Sequence, residues 1–270
     1  MLLAQISDLH ILAPGSLAYG RIDTAHYLSR CVDALNRLDR RPDAVLVTGD
    51  LVDNGHPDAY RHLRDLLAPL DAPWYLMVGN HDDRAALRAV FDDRPELSAC
   101  GEFVQYAFDA GNLRVIALDT LSPGNDGGNL CATRLAWLAE QLDAARSMPV
   151  VIALHHPPFV SGIRFMDEIR LDPADGARLE ALVRQHPNVE RVICGHVHRA
   201  IVARFGGTIA WSAPSTAHQV ALELRDDGPA AYVMEPPGFA LHLYTAECGL
   251  VTHYVSVDQG GGPQGFDEQE

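Results

Sequence analysis

The chain has 270 residues, 47% of them hydrophobic, with 36 acidic against 21 basic side chains and a formal charge of −15. That apolar content supports the core of one large domain, or of one domain with a small appendage, and excludes a disordered or fibrous protein. The negative balance argues against long nucleic acid or an anionic membrane as a partner, because the mean surface potential repels polyanions.

In chain order, a strand is predicted over LLAQIS, and it ends on Asp8-Leu9-His10. Residues 24 to 40 place Leu28, Val32, Leu35 and Leu38 on one helical face, with Thr24 as the expected N-cap. The run AVLVT leads into Gly49-Asp50-Leu51-Val52-Asp53. A helix over 57 to 68 follows, opened by proline in its first turn. WYLMV then ends on Gly79-Asn80-His81-Asp82. Residues 103 to 119 break the strand–helix rhythm and read as a hairpin around Asp109-Ala110-Gly111-Asn112. A helix over 132 to 146 precedes VVIAL, which runs into His155-His156-Pro157-Pro158, and a helix over 174 to 184 precedes RVIC, which runs into Gly195-His196-Val197-His198. From residue 199 strand signals predominate and suggest a β-meander on an α/β core; the Gly-rich tail from 258 is expected to be disordered.

Five apolar runs thus end on Asp, His or Asn. In an open α/β sheet ligands bind beyond the carboxyl ends of the strands, so the five clusters are expected on one rim. Imidazole, carboxylate and amide without thiolate suit zinc, manganese or iron better than calcium. Each fragment alone matches by chance, and Gly-Asp or Gly-Asn alone reads as a tight turn. The five cysteines include no CxxC pair, which leaves reduced thiols in a cytoplasm as the simplest expectation. A ligand cluster as early as residue 8 leads to the expectation of no cleavable leader, and no apolar run approaches the roughly 20 residues of a spanning helix.

The order D-x-H, G-D-x-x-D, G-N-H-D, H-H-P, G-H-x-H resembles the calcineurin-like metallophosphoesterase superfamily. Within it, MLLAQISDLH, the segment from Ala18 to Asp23 and Ser215-Thr216-Ala217-His218-Gln219 resemble the class III cyclic-nucleotide phosphodiesterase and glycerophosphodiesterase group. The resemblance covers residues 1 to about 225 and implies an α/β fold of two packed mixed sheets flanked by helices, an α/β/β/α sandwich with a β-rich C-terminal region. Residues 1–225 would form the catalytic domain, 226–257 a C-terminal extension serving as lid or interface, and 258–270 the tail.

Carried over to this chain, the resemblance implies two divalent ions (manganese, iron or zinc, of one kind or mixed). One is held by Asp8, His10, Asp50 and His198; the other by Asp50, Asn80, His155 and His196, with Asp50 as bridge. Two divalent ions against two ligand carboxylates leave net positive charge for a phosphate, and seven ligands with one shared leave positions open for water and substrate. The expected reaction is hydrolysis of a small phosphodiester, a 3′,5′-cyclic nucleotide or a glycerophosphodiester, by a metal-bound hydroxide. His81 and Asp50 are the catalytic residues, and His81 meets the phosphate and leaving oxygen. Asn80, His81, His218 and Tyr19 are the substrate-side candidates, the last two serving equally well as packing. His156 is assigned a supporting role, and Asp53 either orients a ligand or caps a loop. His26, His56, His62 and His186 are taken as surface histidines. A protein phosphatase, a nuclease and a non-catalytic scaffold share the motifs; the absence of an identifiable peptide groove, the acidic balance and the full ligand set weigh against them in turn. Small molecules are the expected partners, and a homo-oligomer is expected.

Overall fold

The computed structural model describes residues 1–258; the tail expected to be disordered therefore falls, from 259 onward, outside the described residues. Two sheets stack face to face. The first has the order β13-β12-β1-β2-β3 and the second β4-β5-β6-β7-β9-β8. In the first, β1 (Leu2–Ile6), β2 (Ala44–Val47) and β3 (Trp74–Leu76) run parallel, and β12 (Gly238–Thr245) and β13 (Gly249–Ser256) close one side antiparallel. In the second, β5 (Leu113–Ala117), β6 (Val150–Ala153), β7 (Val189–Cys194) and β9 (Thr208–Ser212) are parallel, with β4 (Tyr106–Ala110) and β8 (Ile201–Phe205) antiparallel at the edges.

The two-residue period of a strand divides the core between layers. Val115, Ala117, Val151, Ala153 and Ile193 face the first sheet, whereas Ile116, Val150, Ile152, Val192 and Cys194 face helices α4 (Ala132–Ala144) and α6 (Pro173–Arg184). On the far side α1 (Thr24–Asn36), α2 (Pro57–Leu67) and α3 (Arg84–Val90) cover the first sheet through Leu28, Val32, Leu63 and Leu87. The expected helix–sheet–sheet–helix sandwich is the observed one.

Three details differ from expectation. The N-cap of α1 is Asp23, whose carboxylate accepts from the His26 N–H; Thr24 is already helical, and its hydroxyl donates to the His10 carbonyl 2.9 Å away. A carboxylate is the stronger acceptor at a helix N-terminus. The C-terminal strands are not one meander: β8 and β9 extend the second sheet, β12 and β13 complete the first, and β10 (Gln219–Val220) with β11 (Tyr232–Val233) forms a separate two-stranded ribbon. His186 is buried, at 3% exposure, with Nδ1 on the Leu182 carbonyl, because the chain folds back there between α6 and β7.

The inter-sheet core includes one buried polar relay. Arg191 donates to the Thr252 hydroxyl (2.9 Å), and His242 Nδ1 lies 2.9 Å from the same hydroxyl. His242 Nε2 meets Gln5 Oε1 at 3.1 Å, and Gln5 Nε2 donates to Thr48 Oγ1 (3.0 Å) and to the Cys194 carbonyl (2.9 Å). Because the Gln5 oxygen can only accept, the His242 proton sits on Nε2 and Nδ1 accepts from Thr252.

Candidate metal centre

All five parallel strands carrying the motifs, β1, β2, β3, β6 and β7, end on one rim where the two sheets meet. The loops after β1 and β2 are bound backbone to backbone: the N–H groups of Asp8, Leu9 and His10 donate to the carbonyls of Gly49, Asp50 and Asp50 at 3.1, 2.8 and 3.0 Å. Across the sheets, the His196 N–H donates to both Asp8 carboxylate oxygens, and Ser215 Oγ donates to the Asp8 carbonyl at 2.8 Å.

Glycine before a motif residue has a steric cause. A Cβ at Gly195 would stand 2.0 Å from Ser7 Oγ, and one at Gly49, itself at φ +94°, would stand 2.5 Å from His155 Nδ1. The backbone must come this close for the side chains to converge.

Asp8, His10, Asp50 and His198 each offer a donor atom, all within 4.8 Å of one another. His10 Nε2 and His198 Nε2 are 3.1 Å apart, His198 Nε2 lies 3.4 Å from Asp8 Oδ1, and Asp50 Oδ2 is 3.6 Å from His10 Nε2 and 3.3 Å from His155 Nε2. Beyond Asp50, His155 Nε2 lies 3.2 Å from Asn80 Oδ1, and the His155 and His196 ring centroids are 5.1 Å apart. Asp50 therefore stands between two groups of donors.

The far nitrogens fix the rings. His155 Nδ1 meets the Thr48 carbonyl at 2.8 Å, His198 Nδ1 the His218 carbonyl at 3.0 Å, and His10 Nδ1 the Asp53 carboxylate at 3.1 Å. In the neutral imidazoles each Nδ1 carries a proton toward oxygen and leaves Nε2 with a lone pair aimed inward, the arrangement by which outer groups orient metal-binding imidazoles. His196 Nε2 is buried without any partner. Two imidazole nitrogens facing one another, a buried orphan nitrogen and two carboxylates fit a centre for divalent cations.

Backbone strain marks the same residues. Among the described residues six non-glycine positions have positive φ, and five are Asp8 (56°), His10 (46°), Asp50 (48°), His196 (70°) and His198 (51°). Each costs on the order of 1 kcal/mol or more and persists only where surrounding structure enforces it. The sixth is Tyr19 (51°).

The donors also shift one another's protonation. Burial opposes protonation of His155, yet the Asp50 carboxylate overcomes it and raises the imidazole to about 9. Burial raises Asp8 to about 6. Burial, reinforced by neighbouring imidazoles, lowers His198 to about 3 and holds His196 well below its ordinary range.

The remaining sequence candidates surround this centre. The His81 N–H donates to Asp50 Oδ1 (3.0 Å), and its Nδ1 meets the Asp53 carbonyl at 2.9 Å, which leaves Nε2 free on a side chain 37% exposed. His156 uses both nitrogens elsewhere, Nδ1 with Thr120 Oγ1 (2.8 Å) and Nε2 with the Asp126 carbonyl (3.1 Å). A cavity of about 430 Å³ opens over the centre, lined by His10, Asp50, Asn80, His81, His196, His198, His218 and Tyr19, and also by Phe165, Met166 and Tyr232. Sequence reasoning missed those last three, and also the work of Asp82, whose buried carboxylate accepts from the N–H groups of Leu51, Val52 and Gly79 and from the Tyr60 hydroxyl, clamping two motif loops together. The only signal for Asp82 was its place in the Gly79-Asn80-His81-Asp82 cluster.

A family model described as calcineurin-like phosphoesterase matches residues 1–200. A probable glycerophosphodiester phosphodiesterase of Arcobacter nitrofigilis is 36% identical over 98% of this chain and 97% of its own length. A cAMP/cGMP dual specificity phosphodiesterase of Mycobacterium tuberculosis is 35% identical over 96% of this chain and 80% of its own. Among solved structures, a dimetal phosphatase from Danio rerio superposes with a TM-score of 0.64 at 18% identity, covering 96% of this chain and 99% of that one, a likeness of fold.

Proposed function

Since the chain belongs to the calcineurin-like phosphoesterase family, we propose that it hydrolyses small phosphodiesters, 3′,5′-cyclic nucleotides or glycerophosphodiesters, at a centre of two divalent ions. The observation that carries this reading is the set of inward-facing donors, with Asp50 between its two halves. Asp8, His10, Asp50 and His198 would hold one ion, and Asp50, Asn80, His155 and His196 the other. When bound, two such ions (manganese, iron or zinc, of one kind or mixed) activate water as Lewis acids and neutralise charge on the phosphoryl oxygens.

The chain's own groups supply the rest. His81, fixed through Nδ1 on the Asp53 carbonyl, presents Nε2 to the cavity, where it hydrogen-bonds the phosphate and protonates the departing alkoxide. Asp50 would be shared between the two ions and, through Oδ1, accepts from the His81 N–H, so one side chain would link the metal centre to the acid. His218 and Tyr19 line the substrate side. Among the described residues no arginine or lysine lines the cavity, which supports a small substrate over a nucleic-acid strand.

The reading extends to a cytoplasmic setting, supported by five free cysteines, and to a homo-oligomer, supported by edge strand β13 with Val251 and Tyr254 exposed. Residues 226–257 would act at the cavity mouth through Tyr232, as a lid or an interface. Among the described residues no helix is long and apolar enough to cross a membrane.

The test is a substrate panel on metal-stripped protein reloaded separately with manganese, zinc or iron: an aryl diester, an aryl monoester, cyclic AMP, glycerophosphoethanolamine and single-stranded DNA. Diester turnover restored by metal is expected. No diester cleavage, or a monoester turned over faster than every diester, refutes the assignment.

A further inference from the structure

The cavity has two unlike halves. The inner half is the donor set; the outer half is made largely of Tyr19, Phe165, Met166, Ile169, Val220 and Tyr232, with Asp126 as its one carboxylate.

Tyr19 is held there at a cost. It occupies the first central position of a tight turn, at φ 51° and followed by Gly20 at φ 68°, with the Ala18 and Ile22 backbones exchanging both hydrogen bonds. Such a left-handed pair favours Asn, Asp or Gly, and a tyrosine is strained. All other strained non-glycine residues among those described belong to the donor set. The Tyr19 ring is not buried in return, since it remains 58% exposed. It stacks on Tyr232 from the distant ribbon, with centroids 4.9 Å apart and planes 15° from parallel. Both rings stand nearly perpendicular to His218, at 5.4 and 5.6 Å, and His218 is 4.8 Å from the ring of His198. An unbroken aromatic run therefore leads from the metal centre to the mouth.

Resting on the phosphodiesterase reading above, we propose that Tyr19, Tyr232 and Phe165 form a stacking wall for a planar heteroaromatic group on the diester, so that the enzyme selects nucleobase-bearing diesters over glycerol-bearing ones. His218 lies between His198 and Tyr232, 4.8 Å from the one ring and 5.6 Å from the other, so Tyr232 stands beyond the donor set, where a base carried on a nucleoside phosphate would lie. A cavity of about 430 Å³ accommodates a cyclic nucleotide. Glycerol hydroxyls would leave water for a wall of few polar partners, a net loss. Tyr19 and Tyr232 stack on one another and leave a ligand the outer face of the pair, which suits a further plane, whereas a trimethylammonium group is best held by rings facing it from several sides.

The test uses manganese-loaded full-length protein with bis(4-nitrophenyl) phosphate as a reporter of the chemistry, and compares kcat/KM for cyclic AMP, glycerophosphoethanolamine and glycerophosphocholine. Cyclic AMP is expected to lead. Tyr232→Ala and, separately, Phe165→Ala lower that preference about tenfold, mainly through KM, and Tyr232→Phe, which keeps the ring, holds it. Adenosine, which has no phosphate, is expected to inhibit hydrolysis of the aryl diester competitively, and more weakly in Tyr232→Ala. A lead for either glycerol diester, or a preference unchanged in both alanine variants, overturns the wall while leaving the phosphodiesterase reading intact. Failure to cleave even the aryl diester overturns both.

Discussion

Two buried polar clusters lie within six residues of one another on the first segment of the chain, and they treat their lone pairs in opposite ways. At Gln5 and His242 the polar atoms are matched: the amide donates twice and accepts once, and the tautomer of His242 follows from its neighbours. Around Asp8 and His10 the lone pairs point at each other, His196 Nε2 meets nothing, and the backbone is held in left-handed strain to keep them so. A satisfied network stiffens a core on its own, whereas an unsatisfied one is stable only with something added. The first is therefore read as structure and the second as a receptor for cations.

The largest effect that could break this contrast is Asp50→Ala, expected to lower kcat about a thousandfold or more and to remove bound metal as read by elemental analysis; retention of both ions with near-normal turnover would defeat the two-metal assignment. Next is His81→Ala, expected to cost roughly 10²- to 10⁴-fold in kcat with metal content kept. A parallel loss of metal would instead make His81 a supporting group of the centre. His242→Leu preserves bulk but strips the partners from Gln5 and Thr252; about 2–3 kcal/mol lower stability is expected in urea unfolding, with full metal content. If that variant lost its metal as readily as Asp50→Ala, the two clusters would be one system. Chelation of the wild type should lower Tm by about 5–10 °C if free ions had stood near 100 times their Kd, reversibly on re-addition.

The smallest effect, taken per pH unit, concerns protons. Burial, and then the Arg191 charge, hold His242 down to about 3. In the unfolded chain its ordinary pKa of about 6.5 takes up a proton first as pH falls. The stability from keeping His242 neutral is thus full above about pH 6.5 and is lost as pH falls toward 3, at about 1.4 kcal/mol per unit. Metal-free wild type should show this slope in excess over metal-free His242→Leu, and equal slopes would mean that His242 is solvated.

The convergence of the donors was legible because each is encoded locally. A short apolar run, a glycine that lets the backbone approach, and a polar residue at the strand end suffice to place Asp50 or His196, and the alternation of strand and helix puts those ends on one rim. The cavity wall was not legible. Phe165 and Met166 come from α5 (Arg164–Glu168), too short for a helical period, and Tyr232 from a two-residue strand. Their positions depend on long-range packing. The same holds for β12, whose strand character could be read but whose partner, β1, lies more than 230 residues away. The N-cap of α1 was missed by one residue because Asp23 and Thr24 are both competent caps, and only the His10 carbonyl decides between them.

The place of β1 in its sheet also sets a timetable. On one side it finds β2 as soon as residue 47 is made, but its other edge pairs with Ala240 to Leu243. During synthesis the segment Leu2–Ile6 must wait, with the backbone N–H and C=O groups of that edge unpaired, until nearly the whole polypeptide has left the ribosome. Asp8 and His10 follow directly on that edge. The sheet edge they follow is therefore completed last, from the part of the chain made first.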